Sequence, residues 1–438
     1  MGLRAQPRMG RLIVAAAIAG LVLRLAFAFL YWQDKPLTHD EREYLALAES
    51  MLRGRGFTYA AEHETGTAQQ FGRAPAYPLF LAAIGADAGG RDATPGRVKI
   101  AQSIVGALGV WLIGQIARRA AGPAAGVAAA AMAAVYPPLV WICAYVLSEA
   151  LYSTVALATV LVLDLAIDRA ARTADSSHAT GVSDGLARDR AWFRRGGVLA
   201  ILGGLGTGVA ILVRPAMLLF LPLAAAWLLV HRRIALAAAL GIGALLVVAP
   251  WTARNLRVYD RLVLVASEGG VTFWTGNHPL ATGEGDLAAN PRIKAADLAF
   301  RARHPGLSAE ALEPLYYREA LDYIRHHPGW WLGLLLKKAF YTVVPLGRSY
   351  ALHSTRYRVW SIASYLLLLP FAILGLRAWI RHRRPPEALF VLAASAILVG
   401  LIFFPQERFR IPVLDPTLIV CAAVWVGARF SCARPDRR

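Results

Sequence analysis

The sequence predicts an all-α polytopic membrane protein of about ten transmembrane helices, with external amphipathic helices and one small external α+β loop. Three observations lead there. The 438-residue chain is 57% hydrophobic with a mean hydropathy of +0.46, beyond an ordinary soluble domain. Several runs of roughly 17 to 22 apolar residues are long enough to cross hydrocarbon as helices. Basic residues cluster between alternate runs, as the cytoplasmic bias of Lys and Arg requires.

The same pattern disposes of the net charge of +19. In a soluble protein such a value would suggest nucleic acid. Here the basic residues mark topology and meet lipid headgroups, and no RNA- or DNA-binding motif accompanies them. Three cysteines, Cys143, Cys421 and Cys432, stand at unrelated spacings and give neither a disulfide framework nor a zinc pattern.

Arg4, Arg8 and Arg11 precede the first run, 12–31, which is expected to run outward and to be retained rather than cleaved as a signal. Arg24 inside it should face other helices, not lipid. Residues 41–53 read as an amphipathic helix with Tyr44, Leu47, Ala48, Met51 and Leu52 on one side, ended by Gly54 and Gly56. After a polar stretch, 59–70, a short apolar run to residue 86 cannot span. Spans are expected at 98–117, 124–142, 146–167, 197–213, 216–230 and 235–249, around an Arg-rich cytoplasmic loop at 169–195.

Residues 251–328 hold no span and form the one sizeable external loop, with a strand at 262–266 and helices at 295–303 and 310–326. The apolar stretch 330–344 contains Lys337-Lys338 and should lie at the interface. Spans 360–380, 388–404 and 411–426 then return the chain to the inside. Three parts result: a transmembrane module, 1–250, including the first external loop 32–97; an external loop region, 251–329; and C-terminal interfacial and transmembrane segments, 330–438. Both termini are expected in the cytoplasm. No internal repeat is visible, which argues against a transporter built from repeated halves.

The stretch Thr38-His39-Asp40-Glu41-Arg42-Glu43-Tyr44 follows the first run directly. Thr38 and Glu41 have the spacing of a capping box, and Asp40 suits the positive end of a helix dipole. Taken alone, the seven residues favour capping over catalysis. Ionisable groups at a membrane surface are nonetheless functional candidates, and the company they keep turns Asp40 toward chemistry. The outer face collects Asp40, Glu41, Arg73, Glu149, Arg214, Arg254, Lys337, Lys338, Glu407, Arg408 and Arg410. Arg and Lys on the face that should be poor in them fit a phosphate clamp at headgroup level. His39 beside Asp40 is not a metal site, so no metal ligands are assigned.

At this point the residues resemble a known family. Asp40-Glu41 with Tyr44, followed by Arg73-Ala74-Pro75-Ala76-Tyr77-Pro78, are similar to the first external loop of family 39 membrane glycosyltransferases of the GT-C fold class. These include protein O-mannosyltransferases and lipid A aminoarabinose transferases. Ser148-Glu149, Arg214-Pro215, Pro250-Trp251-Thr252-Ala253-Arg254-Asn255, Gly276-Asn277-His278-Pro279 with Ala281-Thr282-Gly283, and Glu407-Arg408-Phe409-Arg410-Ile411-Pro412 carry the likeness along nearly the whole chain. The resemblance implies a GT-C-like fold, a polyprenyl-phosphate-linked sugar donor and an external active site. It implies Asp40, with Glu41, as the catalytic position and Arg73 near the donor phosphate. Arg73-Ala74-Pro75 stands where the aminoarabinose transferases have a Lys-Pro-Pro run, and the large C-terminal soluble domain of some GT-C enzymes is not expected.

The chemistry fits the residues. A sugar-1-phosphate ester needs a base for the acceptor hydroxyl, here Asp40, and cations for the departing phosphate, here Arg73, Arg254, Arg408 and Arg410. Tyr44, Tyr77, Glu149, Asn277, Lys337 and Lys338 are candidate substrate contacts. The expected reaction is inverting transfer of a single sugar to a hydroxyl of a lipid, glycan or protein. No cofactor is assigned; a divalent metal could assist the phosphate, but nothing in the sequence demands one. The expected partners are the lipid-linked donor, the acceptor and membrane lipids, without nucleic acid. The expected setting is a bacterial inner membrane with the site facing the periplasm or exterior. A glycan ligase using a lipid-pyrophosphate donor and a lipid or solute transporter are the alternatives.

Overall fold

The computed structural model describes residues 5–58, 72–86, 89–90, 92–180, 196–285, 290–345, 354–382 and 387–432. The polar stretch 59–70, part of the loop 169–195 and the tail beyond 432 lie outside the described residues. Among the described residues every regular element is a helix. In order it comprises α1 (Ala5–Ala26, prolonged by a π turn to Tyr31), α2 (His39–Leu52), α3 (Ala76–Ala83), α4 (Gly96–Ala121), α5 (Pro123–Val135) and α6 (Pro137–Trp141). There follow α7 (Glu149–Thr180), α8 (Val198–Val213), a 3₁₀ turn leading into α9 (Phe220–Val230), α10 (Ile234–Tyr259), α11 (Gly269–Asn277), α12 (Pro291–Ala302) and α13 (Ala309–His326). The chain ends with α14 (Pro328–Val343), α15 (Thr355–His382), α16 (Glu387–Ile402), the single turn α17 (Glu407–Arg410) and α18 (Leu414–Cys432).

Among the described residues, five helices are long and apolar enough to cross a membrane: Arg8–Tyr31, Gly96–Ala121, Glu149–Arg172, Ile234–Tyr259 and Thr355–Ile380. Four shorter apolar ones, Pro123–Val135, Val198–Val213, Pro215–Val230 and Glu387–Ile402, together with α18, occupy the remaining expected spans. Two of the long helices, α10 and α15, carry exposed Leu245, Leu246, Leu366 and Leu367 on their outward faces, tolerable only where the solvent is lipid. This is an integral membrane protein.

Within hydrocarbon, apolar burial cannot drive helix association, so close backbone approach does. α8 and α10 meet through Gly204, Gly208 and Gly243. A Cβ at Gly204 would come 2.9 Å from the Gly243 Cα, and one at Gly208 2.7 Å from the Val247 Cβ. Arg24 is 1% exposed and does face helices. Its guanidinium donates to the Ala133 and Ala134 carbonyls at 3.3 Å, the last turn of α5, where orphan acceptors and the dipole favour a cation.

Outside the apolar spans, α11 and α13, with α12, have their own core of Val271, Trp274, Ile293, Phe300, Leu312, Tyr316 and Ala320. Phe300 stacks on Tyr316 at 4.0 Å, and Tyr316 donates to Asp297 at 2.5 Å. The expected strand at 262–266 is absent, so the loop region is helical and not α+β among the described residues. The reason is visible. α10 continues past Pro250 to Tyr259, and its side chains satisfy the strand-like segment: Trp251 Nε1 donates to Val265 O, Thr252 Oγ1 to Leu264 O and Asn255 Nδ2 to Val263 O. Alternating apolar residues here bury Val263 and Val265 against a helix instead of pairing with another strand.

Candidate active site

The start of α2 is fixed first. Thr38 is its N-cap, with extended φ −73° and ψ 171°. Glu41 Oε2 accepts from both the Thr38 amide and hydroxyl at 2.8 Å. Its other oxygen accepts the Val146 amide at 2.8 Å, tying α2 to the link between α6 and α7. Glu41 is 2% exposed. Burial pushes its carboxyl up from the ordinary value, against the opposing pull of these donors. With Glu41 committed to the scaffold, Asp40 one residue earlier points elsewhere.

Asp40 lies between two guanidiniums. Oδ1 accepts from Arg73 Nη2 at 2.8 Å, and Oδ2 from Arg408 Nη2 at 2.7 Å. Burial works against its charge, but Arg408 and then Arg73 outweigh that and hold the carboxyl well below the usual carboxylate range. The pairing extends both ways. Arg73 also binds Glu43 on the same face of α2, through Nε at 2.8 Å and through Nη2, and Glu268 at 3.0 Å. Arg408 lies 3.6 Å from Glu149, which Arg214 reaches at 2.7 Å. Burial pushes Glu43 up, opposed by Arg73.

Five members come from beside the ends of apolar elements. Asp40 and Glu43 follow α1, Glu149 opens α7, Arg214 closes α8, and Arg408 follows α16. At the far end of α7, Asp168 pairs with Arg119 of α4. The cluster therefore occupies one end of the helical bundle, with a distinct ion pair at the other. Three guanidiniums, Arg73, Arg214 and Arg408, face four carboxylates, Asp40, Glu43, Glu149 and Glu268. Beneath them Arg73 lies over the Tyr44 ring at 5.4 Å, and Tyr44 meets Tyr77 edge-on at 4.8 Å. Arg214 stacks over Phe409 at 4.6 Å. Aromatic faces thus support the cations that the carboxylates orient.

Other expected contacts are brought to different places. Arg410 pairs with buried Asp415 at 2.8 Å and covers Tyr365 at 3.9 Å. Arg254 sits among Trp251, Tyr259 and Phe57 and donates to the Phe57 carbonyl at 3.4 Å. A narrow crevice lined by Gly72, Arg73, Trp251, Asn255 and Tyr259 runs beside it. Asn277 accepts from Lys338 Nζ at 3.0 Å and Trp331 Nε1 at 3.1 Å, and donates to the Ile402 carbonyl at 2.9 Å. It fastens α11 and α14 to the end of α16. Burial lowers the Lys338 ammonium to about 7, while Lys337 is exposed.

Sequence reasoning missed Glu43 and Glu268. Glu43 had a signal, since three residues after Asp40 it shares a helix face. Glu268 had none, because its place depends on how the loop after α10 folds back on Gly72, whose amide donates to Ser267 Oγ at 2.7 Å. Among the described residues no three His, Cys, Asp or Glu side chains are arranged to hold a metal ion.

No family model matches the chain, and no curated protein matches its sequence. Solved structures match its shape. The oligosaccharyltransferase AglB from Archaeoglobus fulgidus, in complex with an inhibitory peptide and a dolichol-phosphate, aligns over 100% of this chain and 53% of its own, at 13% identity and TM-score 0.56. The A. fulgidus oligosaccharyltransferase tethered to an acceptor peptide containing the NVT sequon aligns over 96% and 49%, at 14% identity and TM-score 0.59. ArnT from Cupriavidus metallidurans bound to undecaprenyl phosphate aligns over 96% and 78%, at 14% identity and TM-score 0.40. The chain spans about half the length of the oligosaccharyltransferases it matches. At these identities the likeness to the oligosaccharyltransferases is one of fold alone, the GT-C-like helical fold expected from the sequence.

Proposed function

We propose that the chain is an inverting glycosyltransferase that moves one sugar from a polyprenyl-phosphate donor to an acceptor hydroxyl on a lipid, glycan or protein. The observation that carries this reading is Asp40 held between Arg73 and Arg408 at one end of a GT-C-type bundle. The dolichol-phosphate in the AglB complex supports a lipid phosphate as the anion those guanidiniums receive. On this reading the site faces the periplasm or exterior of a bacterial inner membrane, and both termini are cytoplasmic.

An arriving phosphate competes with Asp40 for Arg73 and Arg408. As the guanidiniums turn to phosphate oxygens, Asp40 loses the two charges that depress its pKa. Its affinity for a proton rises, and it becomes the better base when the donor is in place. The acceptor oxygen then attacks the anomeric carbon from the face opposite the phosphate. Its proton passes to Asp40, and the bond from that carbon to the phosphate oxygen breaks. The electron pair leaves on polyprenyl phosphate, whose growing charge Arg73 and Arg408 stabilise. One displacement inverts the centre. Arg410, through Asp415, positions the turn that carries Arg408, and Arg254 is proposed to meet the donor beside the crevice.

A second reading, transfer of a preassembled glycan, has its own support in the two oligosaccharyltransferase matches. Assays with single-sugar and preassembled-glycan donors separate the two. The base is tested by Asp40→Asn. Turnover should fall roughly 10²–10⁴-fold, while donor affinity holds or tightens because a competitor for both guanidiniums has lost its charge. Near wild-type turnover would overturn the mechanism.

A further inference from the structure

A second concave site lies away from the ion-pair cluster. It is a cleft of about 300 Å³ between the end of α11 and the end of α13. His278, Tyr323, His326 and His327 supply its rings beside the buried Trp274, and Glu319 and Asp322 its carboxylates. The rings are held by one another: Trp274 lies 4.3 Å from His278, Tyr323 stacks on His327 at 4.1 Å, and Trp330 meets Tyr323 edge-on at 5.0 Å.

The polar groups are set for hydroxyls. Glu319 Oε1 accepts from Trp274 Nε1 at 3.0 Å and Oε2 pairs with Arg303 at 3.2 Å. Its side chain is nevertheless 45% exposed, leaving lone pairs for a ligand. His278 Nδ1 accepts the Leu280 amide at 3.1 Å, so Nε2 carries the proton and is a donor. Aromatic walls with a few oriented polar groups make a small-molecule site. The ligand they fit has an apolar face and a rim of hydroxyls. A sugar ring has both. Among the described residues no lysine or arginine lines the cleft, so its lining offers no guanidinium or ammonium clamp for a phosphate or other anion.

We infer that this cleft binds a neutral sugar ring of the acceptor, making the acceptor a glycan longer than one residue. The inference rests on the glycosyltransferase reading for the word acceptor, but not for the binding itself. α11 joins the two sites. Glu268, immediately before it, pairs with Arg73, and its last residue, Asn277, lines the cleft. Nine residues extend about 13 Å. A ring seated in the cleft therefore leaves the reacting hydroxyl to be supplied by another residue of the same glycan.

The full-length protein in detergent, probed on an array of neutral and anionic mono- to hexasaccharides, tests this. Neutral glycans of two or more residues should bind. Tyr323→Ala should weaken binding about fivefold to tenfold through the lost stacking face. Glu319→Gln, whose amide oxygen still accepts from Trp274, should weaken it about tenfold, because a charge-assisted acceptor has become neutral. Asp40→Asn should bind as wild type, so loss of transfer and loss of glycan binding are read separately. Both cleft variants should keep the thermal transition of the parent. Absence of array binding, binding confined to anionic glycans, or wild-type binding by both cleft variants would overturn the inference.

Discussion

The adjacent carboxylates at 40 and 41 meet opposite surroundings. Glu41 is closed in by three donors on two oxygens, whereas Asp40 is shared by two cations from distant parts of the chain. Glu41→Gln keeps one carbonyl oxygen but turns an amide toward a donor. It should lower thermal stability by about 1–3 kcal/mol and leave turnover per folded enzyme near the parent value. A large turnover loss at unchanged stability would move Glu41 into the chemistry. Arg408→Ala should raise the donor KM by the equivalent of about 1.5–3 kcal/mol, and Arg408→Lys should restore only part, since the planar fork is lost. Unchanged donor kinetics in both would leave Arg408 a structural partner of Asp40. The capping role of Glu41 was legible because it needs only four residues of local sequence, Thr38 to Glu41. Its bond to Val146 was not, nor were the partners of Arg410, because those depend on helices meeting across the fold.

Elements show the same division. Helices whose cause is local, such as α2 with its N-cap and its glycine stop, follow from the sequence, and so does the apolar length of the spans. The segment 262–266 does not, since alternating apolar residues suit a strand or a helix-backed loop equally. What decided it were the side chains of Trp251, Thr252 and Asn255 on a helix that runs on past Pro250. The joint between α11 and α13 carries a prediction of its own. Glu313 accepts the Gly270 amide at 3.3 Å, yet burial pushes its carboxyl up to about 7 against that bond. A raised acid binds its proton more tightly folded than unfolded. Its ionisation therefore costs stability as pH rises from about 4.5 to about 7, and the penalty is complete above that. Glu313→Gln keeps an acceptor and removes the ionisation. It should stabilise the external helices by on the order of 1 kcal/mol at pH 8, with little effect at pH 5, by thermal denaturation at both values. Equal shifts at both would show that the charge is not the cause.

On the scale of the whole molecule, everything proposed for the site depends on one end of the bundle facing one side of a membrane. The ends are chemically distinct. Asp40, Glu149, Arg214 and Arg408 gather at one, and Arg119 with Asp168 stands at the other. Lys and Arg near short loops set orientation. On that rule the clusters at Arg118-Arg119, His231-Arg232-Arg233 and Arg381-His382-Arg383-Arg384 support the proposal that the Arg119 end lies in the cytoplasm. The basic residues at the other end then need a reason besides topology. Three of them have one in the carboxylates they grip, and a lipid phosphate entering the same cluster supplies the proposed second. The orientation can be measured directly. A reporter inserted at 179–185, between α7 and α8, should respond as cytoplasmic. One at 283–290, in the sequence between α11 and α12, should respond as external. Alkylation of single cysteines at the same places by a membrane-impermeant reagent should label only the second in intact cells. If both positions report the same side, an odd number of crossings between them is excluded. The site would then no longer face the compartment in which a polyprenyl-linked donor is proposed to meet its acceptor.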